Sequence, residues 1–141
     1  MKSSNTLPWI VLGGSALAIA LLQQRSATSP AGLHSQRVLR LAEAIAFAEG
    51  FGKPGALPTV LHNPGDLTSL GGSLKSYLSD DEGWEALYQY IESMLAGNSY
   101  YSPDMSINSV SDIYSGSASR EWAVNVAAYL GVSPSTPIGE V

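Results

Sequence analysis

A mainly α-helical domain with long loops, preceded by one apolar span, is the architecture this sequence of 141 residues predicts. Three observations carry the prediction. Apolar residues recur at three- and four-residue steps in several separate stretches, which is the period of a helix packed on one face. The segments between them are rich in Gly, Pro, Asn and Ser, residues that break regular structure. Near the N-terminus, residues 7–22 form an uncharged, largely apolar run of 16 residues.

Composition narrows the function classes before any motif is considered. The length suits one domain plus a short appendage. Charged residues are 13% of the chain and the formal net charge is −5. Seven Lys and Arg, scattered, cannot form a phosphate-tracking surface, so nucleic acid is not an expected partner. The absence of cysteine excludes disulfides, thiolate metal sites and a Cys nucleophile, and two histidines are too few for a His-based metal centre. No metal or other cofactor is expected.

The apolar run 7–22 has Lys2 before it and Gln23-Gln24-Arg25 after it. As a helix it would extend roughly 24 Å, close enough to the ~30 Å hydrocarbon core for local thinning to absorb the difference. Trp9 sits where an interfacial aromatic would sit. Residues 1–25 are therefore expected to be a single-pass membrane anchor, with lipid met by residues 7–22. A cleaved signal peptide is the alternative, against which Ser26-Ala27-Thr28 makes a poor cleavage site, and a buried soluble helix is the third. Lys2 and Arg25 leave the orientation open. Residues 26–34 begin with Ser, Thr, Pro, Ala and Gly and form a linker. The soluble domain is then residues 35–141, enough for one modest core.

Ser35 is the expected N-cap of the first helix, which ends at Gly50. Val38, Leu41, Ala42, Ile45 and Ala46 make its apolar stripe. Four residues on from Ile45, the stripe reaches Glu49. A carboxylate there points toward the core and sits in the last turn, where burial and the helix dipole both oppose its charge. Glu49 is thus a candidate general acid, against the ordinary alternative of a boundary side chain reaching for water. Glu43 lies off the stripe and is expected to be solvated.

Pro54, Gly55 and Pro58 mark a loop. His62-Asn63-Pro64-Gly65-Asp66-Leu67 is a turn in which Pro64 fixes φ, Gly65 permits a positive φ and Asn63 bonds the backbone ahead of it. Asp66 is expected to be occupied within that turn. Residues 70–73 form a glycine-rich loop, and residues 74–78 suit a short strand or edge segment. Asp80 or Asp81 is expected to cap a second long helix, with Trp84, Leu87, Tyr88, Ile91, Met94 and Leu95 at helical spacing and Gly97 at its end. These aromatics are assigned to the core. A short helix is expected over residues 109–114. Ser119 is expected to cap a last one, with Trp122, Val126 and Tyr129 as its inner face and Val124, Ala128 and Leu130 thickening it, before Gly131. The tail, with Pro134 and Pro137, reads as irregular.

Tyr100, Tyr101, Asn63, Asn98, Asn108 and Asp104 place stacking and hydrogen-bonding groups suited to sugars in the loops. A Ser-His-Asp hydrolase finds no support, since no nucleophile-elbow pattern surrounds any serine.

The motifs in order carry a resemblance. Ala44-Ile45-Ala46-Phe47-Ala48-Glu49-Gly50-Phe51 is followed by His62-Asn63-Pro64-Gly65-Asp66-Leu67 and by Gly83-Trp84-Glu85-Ala86-Leu87. Next come Tyr101-Ser102-Pro103 with Asn108, and Val126-Ala127-Ala128-Tyr129-Leu130-Gly131-Val132. The set resembles the lysozyme-like muramidases and lytic transglycosylases of phages and bacteria over residues 36–141. The resemblance implies a lysozyme-like helical fold that binds the glycan strand of peptidoglycan. Glu49 matches the catalytic acid, and Asn63 and Tyr101 match positions lining the glycan cleft. His62 and Asn108 complete the expected substrate contacts, with His62 standing where the family usually has Asn.

A hydrolase of this kind generally uses two carboxyls. The sequence offers one good acid and no convincing partner. One Glu can protonate the glycosidic oxygen and later accept the proton of the sugar's own 6-hydroxyl, so a lytic transglycosylase is favoured over a hydrolytic muramidase. The expected setting is a membrane with the catalytic domain facing a cell wall, in phage infection or lysis, in a phage virion membrane, or in bacterial wall remodelling. An inactive glycan-binding virion component is the alternative of another class, and a small pore-forming protein is a further one.

Overall fold

The hydroxyl of Ser35 accepts from the Val38 N–H at 3.3 Å and starts helix α1, Gln36–Glu49. At its other end Gly50 turns left-handed at φ 79, and the Phe51 N–H returns to the Ala46 carbonyl at 2.9 Å. That closure needs a residue tolerant of positive φ, which glycine supplies. The computed structural model describes residues 30–141, so the span expected over residues 7–22 lies outside the described residues. Among the described residues, no helix is long and apolar enough to cross a membrane.

Residues His34–Val141 make one unit, mainly helical. Four more helices follow α1: α2 Leu57–Val60, α3 Asp80–Leu95, α4 Ile107–Tyr114 and α5 Ser119–Leu130. α1 packs on α3 and α5, and α4 packs on α5. Leu41 and Ile45, Leu87 and Ile91, Ile107 and Val110, and Trp122 and Val126 meet in the core, each at most 5% exposed. Ala42 and Ala44 of α1 and Ala123 and Ala127 of α5 are almost wholly buried, so small side chains line the face of each helix. Burying each large aliphatic contributes about 1.5–3 kcal/mol.

Several local expectations are corrected. Ser79, not Asp80 or Asp81, caps α3: its hydroxyl accepts from the Glu82 N–H at 3.3 Å while Glu82 Oε2 accepts from the Leu78 N–H at 3.0 Å. The two bonds tie the first turn to the cap and to the residue before it, a variant of the capping box, and leave the two aspartates in the first turn where the helix dipole favours them. α4 starts two residues earlier than expected because the Ser106 hydroxyl, accepting from the Ser109 N–H, caps it. Ser119 caps nothing; at φ −55, ψ −44 it is already helical, and the 3-10 turn Gly116–Ala118 leads into it. The inner face of α5 is Trp122, Ala123, Val126, Ala127 and Leu130, which leaves Tyr129 and Val124 about half exposed. Residues 74–78 form no strand; the only pairing there is an isolated Thr68–Leu74 bridge. The tail is pinned, with Ile138 buried and its N–H bonded to the Met105 carbonyl at 2.9 Å.

His34 bridges two carboxylates on α3. Its Nδ1 lies 2.6 Å from Glu92 Oε1 and its Nε2 3.1 Å from Glu85 Oε2, with the ring tilted against Tyr88. The bond to Glu92, offset by burial and helped by Glu85, holds the imidazole above its ordinary pKa. A raised pKa stabilises the fold fully below the unfolded value near 6.5, and the contribution disappears as pH rises through the folded value. Replacing His34 with Ala should therefore lower the melting temperature at pH 5.5 and change it far less at pH 9. An equal drop at both would show that packing, not charge, is what the side chain supplies.

Candidate active site

Glu49 is the last residue of α1 before the left-handed Gly50, so its carboxyl leaves the helix at its very end. The Trp122 indole Nε1–H, from α5, donates to Glu49 Oε1 at 2.8 Å. Trp122 in turn stacks on Tyr114 at the end of α4, with ring centres 5.0 Å apart and planes 29° from parallel. The Tyr114 hydroxyl donates to the Gly65 carbonyl. A continuous chain of contacts thus links the acid to the turn at residues 62–67.

Burial pushes the Glu49 pKa up to about 7; the Trp122 bond works against this and the negative Asp66 adds to it. At neutral pH the carboxyl is therefore divided between acid and base forms, the condition under which one group can serve as both.

Asn63 organises the turn. It is wholly buried, and its Nδ2 donates to the carbonyls of Leu67 and Lys75 at 2.9 and 3.0 Å while Oδ1 accepts from the Leu67 N–H at 2.9 Å. The turn rests on α3 at Gly83, where a Cβ would lie 1.9 Å from the His62 carbonyl oxygen. His62 and Asp66 bracket the turn with positive φ of 51 and 50. The exposed loop that follows is fastened by main-chain bonds: Ser69 N–H to Ser73 carbonyl at 2.8 Å, Lys75 N–H to Leu67 carbonyl at 2.9 Å, and Tyr77 N–H to Leu61 carbonyl at 3.0 Å.

Two adjoining cavities form one groove across this frame. The first, about 350 Å³, is lined by Glu49, Trp122, Glu121 and Asn125. The second, about 450 Å³, is lined by Tyr77, Gln89, Tyr90, Ser93 and Tyr101. Asp66, Thr68 and Tyr114 line both. Each volume is in the range of small-molecule sites. An acid near half-protonation in one half and a wall of tyrosines in the other suit acid catalysis on a polyhydroxylated chain.

Of the residues expected from the sequence, Glu49 and Tyr101 line the groove, in different halves. Asn63 does not: every polar atom of its side chain is spent inside the turn, which it holds in shape. His62 is outside the groove lining, half exposed, with Nδ1 2.7 Å from Asp80 Oδ1. Asn108 is also outside; it is exposed in the first turn of α4, where its N–H donates to the Pro134 carbonyl at 2.9 Å.

Asp66 is the converse case. Its carboxyl is not spent on the turn: Oδ1 is buried and has no hydrogen-bond partner among the described residues, and burial raises its pKa. Trp122, Tyr114, Tyr90 and Tyr77 were likewise not singled out for the site. Among the described residues no group of three His, Asp or Glu could hold a metal ion. No family model, no curated protein and no solved structure matches this chain. The functional reading therefore rests on the chemistry of the groove and on the motifs of the sequence.

Proposed function

We propose that the domain cleaves the glycan strand of peptidoglycan as a lytic transglycosylase, with Glu49 as its single proton carrier. The observation that carries this is a carboxyl held at about 7 in the wall of an aromatic-lined groove. Protonated Glu49 gives its proton to the glycosidic oxygen as the bond to the anomeric carbon breaks. The carboxylate left behind is steadied by the Trp122 N–H. It then takes the proton of the same sugar's 6-hydroxyl, whose oxygen bonds the anomeric carbon and closes an anhydro ring. Enzyme and proton are both restored, and no water is consumed. The lysozyme-like order of motifs from Glu49 to Val132 supports the same reading. In it the domain faces a cell wall and is held to a membrane through residues 7–22.

Hydrolysis is the second reading, and Asp66 favours it. This carboxyl borders both halves of the groove, and a hydrolytic enzyme needs such a partner to activate water or stabilise the cation. The test is mass spectrometry of the products after the full chain, wild type and Glu49→Gln, is incubated with peptidoglycan. Anhydro-ended fragments from the wild type alone support the transglycosylase, and reducing ends point to the hydrolase. Bound glycan with no product would move the domain to a binding role.

A further inference from the structure

His34 stands where the linker ends, first in the unit His34–Val141. Its side chain is 6% exposed, although Leu33 just before it is 83% exposed. Glu85, Tyr88 and Glu92, at steps of three and four along α3, surround the imidazole with two carboxylates and a ring.

A carboxylate only accepts, so bonds from one ring to Glu92 at 2.6 Å and Glu85 at 3.1 Å require an N–H on both nitrogens. Only the imidazolium has both. The neutral ring keeps one N–H, and its bare nitrogen would face a carboxylate oxygen, lone pair against lone pair. No neighbour replaces the lost charge. On α3, Gln89 donates to Glu85 Oε1 at 2.9 Å but is neutral. On α1, Arg37 and Arg40 donate to the carbonyls of Val141 and Leu130, each at 3.1 Å, and Glu43 adds negative charge beside Tyr88. Among the described residues, the imidazolium is the one cation paired with either glutamate. Ser35, by contrast, is held by its own bond to the Val38 N–H, so the cap of α1 stays in place whichever state His34 adopts.

We propose that His34 is a proton-operated latch: as an imidazolium it fastens the end of the linker to α3, and as a neutral ring it lets go, so that the preceding chain swivels from Ser35 instead of from Leu33. The latch works whichever reaction the groove performs. Because the bond to Glu92 raises the His34 pKa, the latch is fastened on the acid side and opens as pH rises through that raised value. The domain therefore leaves its linker in one fixed direction when the ring is charged and in many when it is not.

The test is electron paramagnetic resonance of the full chain, which has no cysteine of its own, with a nitroxide attached at Leu33→Cys. A second protein carries the label at Val124→Cys, a half-exposed position on α5. From pH 5.5 to pH 9 the label at position 33 should rotate about twofold or more faster, while the label at position 124 keeps its rate. His34→Gln should make the first label fast at both pH values. Glu92→Gln, which leaves the ring in place, should move the midpoint of the change to lower pH. A rate at position 33 that does not depend on pH, a dependence that survives His34→Gln, or an equal change at position 124 would each overturn the latch. Should His34→Gln fail to fold, an unmoved midpoint in Glu92→Gln would overturn it as well.

Discussion

Replacing Glu49 with Gln is expected to lower glycan cleavage by a factor of about 100 or more and, at the same pH, to make the fold more stable. Both effects come from one cause. The carboxyl titrates near 7 in the folded chain against an ordinary 4.5. Between those values the folded state keeps a proton that the unfolded state has released, so stability falls as pH rises from 4.5 to 7 and stays lowered above it. The penalty at pH 8 is on the order of 2 kcal/mol, after allowing for the water that reaches a carboxyl at the groove wall. Gln keeps an oxygen to accept from Trp122 and has no charge to desolvate. Melting temperatures of the two proteins should therefore coincide at pH 4 and separate at pH 8 with the variant higher. Wild-type cleavage should decline above about pH 7 as the acid form is lost. A variant equally stabilised at pH 4 and pH 8 would mean that the carboxyl is not desolvated as described.

Gly83→Ala is expected to be the most damaging single methyl group in the domain. The added carbon would lie 1.9 Å from the His62 carbonyl oxygen and 2.8 Å from Pro64 Cδ. Neither neighbour is the end of a flexible side chain, so helix and turn must move apart. The cost is about 3 kcal/mol or more, beyond ordinary overpacking because backbone has to yield. Because the same turn carries Asp66 and meets Tyr114, activity should fall further than the loss of folded protein explains. Gly71→Ala is the control: nothing lies within 4 Å of its added carbon. Thermal melts and turnover measured on both variants decide the matter, and a Gly83→Ala protein as stable as Gly71→Ala would disprove the close packing of turn on helix.

The first helix was legible because its signals are local. Ser35, the stripe from Val38 to Ala46 and Gly50 each act within one turn of the chain, and Glu49 follows from their spacing. The turn at residues 62–67 was legible as a turn, and Asn63 bonds the backbone ahead of it as expected, yet that leaves it no polar atom for substrate, and Asp66 is not spent on the turn. Asn63 and Asp66 are both residues that bond their own backbone, and which one does so depends on Lys75, twelve residues beyond Asn63, whose carbonyl takes the Asn63 amide. Asp66 adopts a left-handed backbone, a conformation that residue type permits without announcing. Tyr90, Tyr114 and Trp122 sit at helical spacings that core packing also requires. Only the packing of α3, α4 and α5 brings them together in the lining of a groove.

The fastening of the loop after Asp66 has a consequence on an evolutionary scale. Residues 68–76 are all exposed, and apart from the Ser69 hydroxyl, which donates to the Ser73 carbonyl, the bonds that fix their course run between main-chain groups or to Asn63. Their other side chains are thus free to drift while the path that delivers Tyr77 to the groove is inherited unchanged. The surroundings of Glu49, by contrast, are assembled from three helices whose residues also serve the core. A lineage can therefore alter which substituents pass the rim of the groove, one exposed residue at a time, and leave its proton chemistry as it was.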